Sequence, residues 1–230
     1  MKISIDYLPL DIVKNSIYLE KFIYKNRTSN YYWSNDFSAE YYISTAKAGF
    51  ISVTEKVEGI ELLIPEIQFS YAILDFKNLH ISKKVNKLLK KENLKIEISE
   101  NLDIVYDGIS KLHKNNWLSK KYLNILKSTK NIDKNFKAVS VYIKKDNLIV
   151  AGELGYFIGK TYTSLSGFCL REKEYNNYGT AQLVLLAKYL EQNGFAFWNL
   201  GHPYMSYKTA IGAKVYSRED FLKRWFLAIK

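Results

Sequence analysis

Three consecutive strand-like segments in the middle of the chain constrain its fold more than any other feature. They cover residues 136–145, 148–159 and 160–170 and are rich in β-branched and aromatic side chains. The turn signals Asp146-Asn147 and Gly159-Lys160 separate them. Such short connections join neighbouring antiparallel strands. The sequence therefore predicts an antiparallel meander over residues 136–170.

A helix and one more strand are predicted to follow the meander. Residues 178–193 have helical periodicity, and Gly194 follows as a stop signal. The apolar face of this helix carries Leu183, Leu186, Ala187 and Leu190. Residues 195–199 then indicate a short buried strand. Three antiparallel strands, a helix and a strand are the arrangement of GNAT-type acyltransferase cores, so we expect an α/β (α+β) fold of this type.

The residues before the meander indicate further elements. We expect a strand at residues 2–7, a helix beginning near Ser38, and tyrosine-rich strands between Phe50 and Phe76. A short strand near Leu94 and two helices flanking Trp117 are expected next. We therefore predict a small α+β domain over residues 1–76 and a GNAT-like domain over residues 77–230.

A lysine-rich segment at residues 82–91 predicts a basic helix. Ser82 is a suitable N-cap, and Val85, Leu88 and Leu89 form an apolar side. The lysines at helical spacing are Lys83, Lys84, Lys87, Lys90 and Lys91. Such a face contacts phosphates without reading sequence, which suits the net charge of +11 and an RNA partner. The alternative is a solvated helix face in a chain with a general lysine excess.

The composition argues against several classes of protein. With 230 residues, of which 47% are hydrophobic, the chain can build a proper core. No stretch reaches the roughly 18 to 20 consecutive apolar residues of a membrane span, and the N-terminus is too polar for a signal peptide. We therefore expect a cytoplasmic protein without a membrane partner. One cysteine, Cys169, and three scattered histidines predict no metal site.

The last third of the chain carries a series of motifs. Residues 194–222 read GFAFWNLGHPYMSYKTAIGAKVYSREDFL. This run resembles the C-terminal signature of leucyl/phenylalanyl-tRNA-protein transferases, in which G-F-A-L-I-D-x-Q, H-x-x-S-L-G-A and I-P-R-x-E-F-L follow one another. The frame is kept at residues 194–196, 211–213 and 218–222. The acid and amide of D-x-Q are Asn199 and Gly201 here, and the histidine is Tyr207.

Five further blocks stand in the same order as in the family. Residues 36–50 are similar to L-S-P-E-x-L-x-x-A-Y-x-x-G-I-F, and residues 79–91 to L-H-[VI]-S-[KR]-S-[LV]-[RK]-[RK]. Trp117 stands at the family's T-W-I position, and the block G-G-L-Y-G-V-x-I-G is matched at Gly152, Leu154, Gly155, Ile158 and Gly159. In the F-F-G-E-S-M-F-S block that follows, the glutamate is replaced by Leu165.

The resemblance implies a fold, a reaction and a set of binding residues. Members of this family have a GNAT-type core with a smaller N-terminal domain and transfer an amino acid from aminoacyl-tRNA, their co-substrate, to an amine. No further cofactor is expected. The family's glutamate at the Leu165 position recognises the donor's α-ammonium group, so we expect altered donor recognition. The implied substrate-binding residues are Trp117, Leu165, Ser166, Phe168, Tyr207, Ile211 and Gly212.

The chemistry of ester aminolysis narrows the candidate catalytic residues. The attacking amine must lose a proton, and the tetrahedral oxyanion must be stabilised. Asn199 can donate hydrogen bonds but cannot accept a proton at neutral pH. His202 and Glu153 are the candidate bases, with backbone capping as the alternative for His202. For Trp117, stacking on the terminal adenosine of tRNA competes with core packing.

Several functions are compatible with this sequence. The first is an aminoacyl-tRNA-dependent transferase with altered donor or acceptor, acting on a protein N-terminus, a peptide or a small amine. A faithful leucyl/phenylalanyl transferase and a catalytically silent RNA-binding descendant are alternatives. Acyl-CoA use is disfavoured, because residues 171–180 contain one glycine and two glutamates where a pyrophosphate loop would lie.

Overall fold

The computed structural model describes residues 5–114 and 116–230. Its strands are β1 (Asp6–Tyr7), β2 (Tyr32–Trp33), β3 (Ile51–Val57), β4 (Ile60–Glu66), β5 (Ser70–Leu74), β6 (Ile96–Ser99), β7 (Phe136–Lys145), β8 (Leu148–Ile158), β9 (Thr161–Cys169), β10 (Phe197–Asn199) and β11 (Lys214–Ser217). Residues 2–4 of the strand predicted at residues 2–7 lie outside the described residues.

The α-helices lie between and after these strands. They are α1 (Leu10–Lys14), α2 (Ser16–Tyr18), α3 (Ala39–Lys47), α4 (Lys83–Glu92), α5 (Asp103–Leu112), α6 (Lys120–Ser128), α7 (Tyr178–Gln192), α8 (Ser206–Ala210) and α9 (Arg218–Ala228). A π-helix covers Leu19–Ile23, and 3₁₀ turns cover Phe76–Asn78 and Lys173–Tyr175. Within the described ranges, no helix has the length and apolar character needed to cross a membrane.

Seven strands form the main sheet, in the order β11-β5-β10-β9-β8-β7-β6. The pairs β6–β7, β7–β8 and β8–β9 are all antiparallel, which confirms the predicted meander. After the crossover through α7, β10 pairs parallel to β9. The fold is therefore α/β with a GNAT-type core, as the sequence predicts.

The local sequence explains the bounds of the meander. Asp146 and Asn147 join β7 to β8 with φ of +50° and +67°. Both central residues of a type I′ hairpin turn need positive φ, and Asp and Asn tolerate it better than most residues. The predicted segments and the observed strands therefore agree to within a residue at each end.

The basic segment forms α4, as predicted. The Ser82 side chain accepts a hydrogen bond from the Val85 N–H at 3.3 Å and so begins the helix, and Asn93 ends it with φ of +45°. The apolar side of α4 packs against Ala181 and Val184 of α7. The lysines of α4 are exposed on its other side.

The N-terminal residues pack directly on the main sheet. The Ser38 side chain caps α3, as predicted. Tyr42 of α3 and Tyr122 of α6 are buried, and their hydroxyls are 2.7 Å apart. Strand β5, which falls within the predicted first domain of residues 1–76, pairs with β10 and β11. The division of the chain at residue 76 stays a prediction.

Arg218 joins the two halves of the chain. It begins α9 and is only 5% exposed. Its guanidinium donates to main-chain carbonyl oxygens of the loop after the π-helix and of the loop before β5. The acceptors are Ile23 (3.2 Å), Tyr24 (3.3 Å), Asn26, Ile67 (2.6 Å) and Gln68 (3.0 Å). Arg218 therefore connects α9 to two segments that lie about 190 and 150 residues earlier in the chain.

Gly212 occupies a position that only glycine fits. Its φ is +102°, and an added Cβ would lie 1.9 Å from the Asn78 carbonyl oxygen. We expect Gly212→Ala to lower the free energy of unfolding by about 3 kcal/mol, as measured by urea denaturation. Gly59 is the control, because its φ is +82° but no atom lies within 4 Å of an added Cβ. Gly59→Ala should cost about 1 kcal/mol, and equal losses would contradict the steric argument.

Candidate active site

A cavity opens where β9 and β10 separate. The two strands pair as far as Thr163 and Asn199, and beyond these residues they diverge. The space between them measures about 640 Å³. It is bounded by β8, β9, the loop between α5 and α6, the start of α7, and α8 with the loop before it.

A β-bulge shapes the wall of the cavity. Leu154 of β8 pairs with Ser166 of β9, and Gly155 pairs with Ser164, so Leu165 is the extra residue. A bulge of this kind bends the strand and redirects its side chains. Leu165 lines the cavity and offers no charge to a ligand.

Glu153 is a buried carboxyl group in this wall. It is 5% exposed, and its Oε1 accepts a hydrogen bond from the Ser164 hydroxyl at 2.8 Å. The Trp198 indole N–H donates to the same Ser164 oxygen at 2.8 Å and fixes its position. Burial raises the pKa of Glu153 to about 7, against the lowering effects of the Ser164 hydroxyl and the Lys208 charge. The group can therefore exchange a proton near neutral pH.

Lys208 of α8 is the cation of the cavity and was not a candidate in the sequence analysis. It is 5% exposed, and its Nζ donates to the carbonyl oxygens of Leu200 and His202, at 2.6 Å each. Burial lowers the pKa of Lys208 to about 8, while the Glu153 charge acts in the opposite direction. An ammonium has three donors, so one remains for a ligand. Because the chain contains many lysines, the sequence alone did not distinguish Lys208 from the others.

The cavity brings together most of the residues that the resemblance implies for binding. Trp117 lines it and also packs edge to face on Tyr122 with ring centres 5.0 Å apart, and stacking of Trp117 on the tRNA adenosine stays a prediction. The other implied residues that line the cavity are Leu165, Ser166, Phe168 and Tyr207. His113 lines it too, with Nε2 3.2 Å from the Gly167 carbonyl oxygen, and no motif pointed to it.

Four other candidates lie outside the described lining of the cavity. Asn199 is 1% exposed; its Oδ1 accepts the Gly201 N–H at 2.9 Å, and its Nδ2 lies 3.4 Å from Thr163 Oγ1. Ile211 is buried in the core, and Gly212 packs on Asn78. His202 lies beside Glu66, with 3.7 Å between Nε2 and Oε1. Catalytic roles for Asn199 and His202 stay predictions.

The basic helix lies beside the cavity. The first turns of α7 contribute Gly179, Thr180 and Gln182 to the cavity wall, and α4 packs on Ala181 and Val184 of the same helix. Helix α4 therefore packs on α7, whose N-terminal part forms the cavity wall. The exposed lysines of α4 lie on its side away from α7. Lys83, Lys84, Lys87 and Lys90 form no ion pair with any residue that the structure describes.

Residues 73–225 match the family model described as leucyl/phenylalanyl-tRNA protein transferase. The chain belongs to this family. The match covers the main sheet from β5 onward, together with the cavity and the basic helix. No curated protein matches this transferase family member by sequence.

The solved structures that resemble this transferase family member share little sequence identity with it. The C-terminal domain of a candidate lysylphosphatidylglycerol synthetase from Agrobacterium fabrum shares 14% identity over 73% of this chain and 53% of its own, with a TM-score of 0.42. This chain thus spans about half of that protein. L-PGS from Bacillus licheniformis shares 12% identity over 82% and 70% of the two chains, with a TM-score of 0.43. A functionally unknown conserved protein from Staphylococcus epidermidis ATCC 12228 shares 13% over 92% and 79%, with a TM-score of 0.43.

Proposed function

We propose that this protein transfers an amino acid from aminoacyl-tRNA to an amine, with Glu153 as the proton acceptor. The observation that carries the proposal is a buried carboxyl with a pKa of about 7 in the wall of the cavity of a leucyl/phenylalanyl-tRNA protein transferase family member. Among the described residues that line this cavity, Glu153 is the only carboxyl group. The acceptor would be a protein N-terminus, a peptide or a small amine.

The reaction needs one proton to move twice. The acceptor nitrogen attacks the ester carbonyl carbon, and its proton passes to the Glu153 carboxylate. The bond between that carbon and the ribose oxygen then breaks, and the ribose oxygen takes the proton back from Glu153. A base whose pKa lies near the operating pH is effective in both directions, and such help contributes roughly 10²–10⁴-fold.

Besides a base for the proton, the reaction needs a group that stabilises the oxyanion, and Lys208 is suited to this role. Its pKa of about 8 leaves it mostly protonated at pH 7, and two of its three donors are already fixed on carbonyl oxygens. A charge held in place before the reaction costs no reorganisation when negative charge develops on the substrate. In this proposal the Lys208 ammonium, rather than the Asn199 amide, stabilises the oxyanion.

The donor amino acid is expected to differ from that of the related transferases. Leu165 stands where the family has a glutamate, and it projects from the bulge into the cavity wall. A leucine cannot pair with the α-ammonium group of the donor, and it adds apolar surface to the pocket. The proposal therefore places selection of the donor on shape and apolar contact at Leu165, Phe168 and Trp117.

Incubation of the protein with labelled aminoacyl-tRNAs and candidate amines tests this proposal. We expect faster loss of the ester together with transfer of one labelled amino acid to the amine. Tight binding of tRNA without faster ester loss for any amino acid would contradict catalysis. That result would favour the silent RNA-binding alternative.

The lysines of α4 are proposed to contact the tRNA backbone. We expect replacement of Lys83, Lys84 and Lys87 by glutamine to reduce the slope of log K against log salt by about 2 to 3, because fewer counterions are released. Filter binding of tRNA at several salt concentrations measures this slope. The control replaces Lys214, Lys223 and Lys230, which are exposed near the C-terminus. Equal effects of the two triple variants would show that only net charge matters.

A further inference from the structure

A second polar cluster lies outside the cavity, at the end of the β3–β4 hairpin. Glu66 ends β4, and its Oε2 lies 3.5 Å from Nε2 of Gln68. His202, in the loop after β10, places its Nε2 3.7 Å from Oε1 of Glu66. We call Glu66, Gln68 and His202 the Glu66 cluster. The reaction proposed above uses none of these side chains.

The cluster contains more hydrogen-bond acceptors than donors. Glu66 and Gln68 are 7% and 4% exposed, and Asn30 Nδ2 donates to Glu66 Oε1 at 2.7 Å. Gln68 Oε1 and His202 Nδ1 are buried, and neither has a hydrogen-bond partner among the residues that the structure describes. An unpaired buried polar atom is unfavourable, so a ligand that donates to Gln68 Oε1 would restore a missing hydrogen bond.

The orientation of the Gln68 amide is set by its neighbour. With Nε2 towards Glu66, the amide donates to a carboxylate; the reverse orientation would bring two oxygens together. Gln68 Oε1 is therefore an acceptor. Burial and the Lys208 charge lower the pKa of His202, so its ring is neutral at neutral pH. The neutral ring, with its proton on Nε2 towards Glu66, therefore brings no positive charge to the Glu66 carboxylate.

The carboxylate of the cluster has no close cationic partner. Arg218 is the nearby cation, but its guanidinium is directed to main-chain carbonyl oxygens, including those of Ile67 and Gln68. Throughout residues 5–114 and 116–230, no lysine or arginine nitrogen lies within ion-pair distance of the Glu66 carboxylate. A buried carboxylate without such a partner favours a ligand that brings its own positive charge.

We propose that the Glu66 cluster is a binding site for a primary ammonium group. An ammonium carries one positive charge, which complements the Glu66 carboxylate, and three N–H donors, one of which can be accepted by Gln68 Oε1. Tyr204 is 85% exposed and packs against the His202 ring, with ring centres 4.0 Å apart and the ring planes tilted by 35°. Its aromatic face favours the approach of a cation from the solvent side.

This site lies close to the cavity but does not open into its described lining. Leu200 lines the cavity and His202 follows two residues later, so their Cα atoms are at most about 7 Å apart. Lys208 Nζ binds the carbonyl oxygens of both residues and so connects the two sites. The inference goes beyond the proposed transfer reaction, because it requires no tRNA.

Nuclear magnetic resonance of the histidine rings tests the proposal directly. The chain has three histidines, so the ring signals of His202 can be assigned by substitution. The probe is glycinamide, a small primary amine, and the control is N-acetylglycinamide, in which the amine is blocked. We expect glycinamide to shift the His202 signals saturably and N-acetylglycinamide to leave them unchanged. Equal shifts with both compounds, or no saturable shift, would overturn the proposal.

Two variants make the assignment specific. Glu66→Gln removes the charge and keeps the size, so we expect glycinamide to bind about tenfold more weakly or worse. Gln68→Leu should also weaken binding, because it removes an acceptor. Glu55→Gln, at an exposed position of β3, should bind glycinamide as the unmodified protein does. Unchanged affinity in a folded Glu66→Gln protein would contradict the site. This outcome is independent of any result with aminoacyl-tRNA.

Discussion

Glu153→Gln is expected to slow transfer from aminoacyl-tRNA by roughly 10²–10⁴-fold while leaving tRNA affinity unchanged. Glutamine keeps the size of the side chain and can still contact the Ser164 hydroxyl, but it cannot take a proton from the attacking amine. The measurement is single-turnover transfer, since it separates chemistry from product release. The lysines of α4 are untouched, so the affinity for tRNA should be the same.

The pH dependence of the two proteins distinguishes a base from a structural carboxyl. With a pKa of about 7 for Glu153, the rate of the unmodified enzyme should rise between pH 6 and 8 as the carboxylate forms. Glu153→Gln should lack this rise. A variant that is slow but keeps the same pH profile would show that Glu153 positions the site rather than accepting the proton.

Stability measurements are the control for the fold of this variant. The pKa of Glu153 is raised on folding from 4.5 to about 7, so the folded state binds the proton more tightly. Its stabilising contribution is complete below pH 4.5 and is lost as the pH rises to 7, a difference of about 3 kcal/mol. Glutamine has no charge to bury. We therefore expect Glu153→Gln to be at least as stable as the unmodified protein at pH 8, as measured by urea denaturation.

Arg218→Met is expected to lower the free energy of unfolding by about 3 to 5 kcal/mol. Methionine fills part of the space but donates no hydrogen bond. Five main-chain carbonyl oxygens, those of Ile23, Tyr24, Asn26, Ile67 and Gln68, would lose their side-chain donor. Because buried acceptors need partners, the loops before β5 and after the π-helix should separate from α9.

Urea denaturation of Arg218→Met and Lys223→Met measures this effect. Lys223 lies on the same helix, is exposed, and forms an ion pair with Glu219 four residues earlier at 2.7 Å. Its replacement should change stability by less than about 1 kcal/mol. If the two variants lost similar stability, the contacts of Arg218 with the carbonyl oxygens would contribute little to the fold.

The sequence predicted those parts of the fold that depend on local patterns. The meander, α7 and the basic helix were predictable because periodicity, the positive-φ turn at Asp146-Asn147 and the Ser82 cap are all read within a few residues. Strand β11 was not predicted. Its pairing with β5 joins residues about 140 apart, and such long-range pairing leaves no local signal.

The candidate site was predictable only in part, for the same reason. The motif frame indicated Trp117 and Leu165, and the chemistry of the reaction made Glu153 a candidate base; all three line one cavity. The motif frame could not indicate Lys208, whose importance depends on its burial and on its contacts with the Leu200 and His202 carbonyl oxygens. Nor could it show that the Asn199 side chain serves the backbone turn at Gly201.

The sequence by itself determined the family, the order of the elements from the meander to β10, and the position of the basic helix. These follow from motifs and periodicity along the chain. Only the tertiary structure decided which ionisable groups are buried together. The pKa of Glu153 depends on desolvation and on charges from other elements, and the Glu66 cluster joins a hairpin to a loop more than 130 residues later. Burial and proximity in space set these properties, and neither is encoded in local sequence.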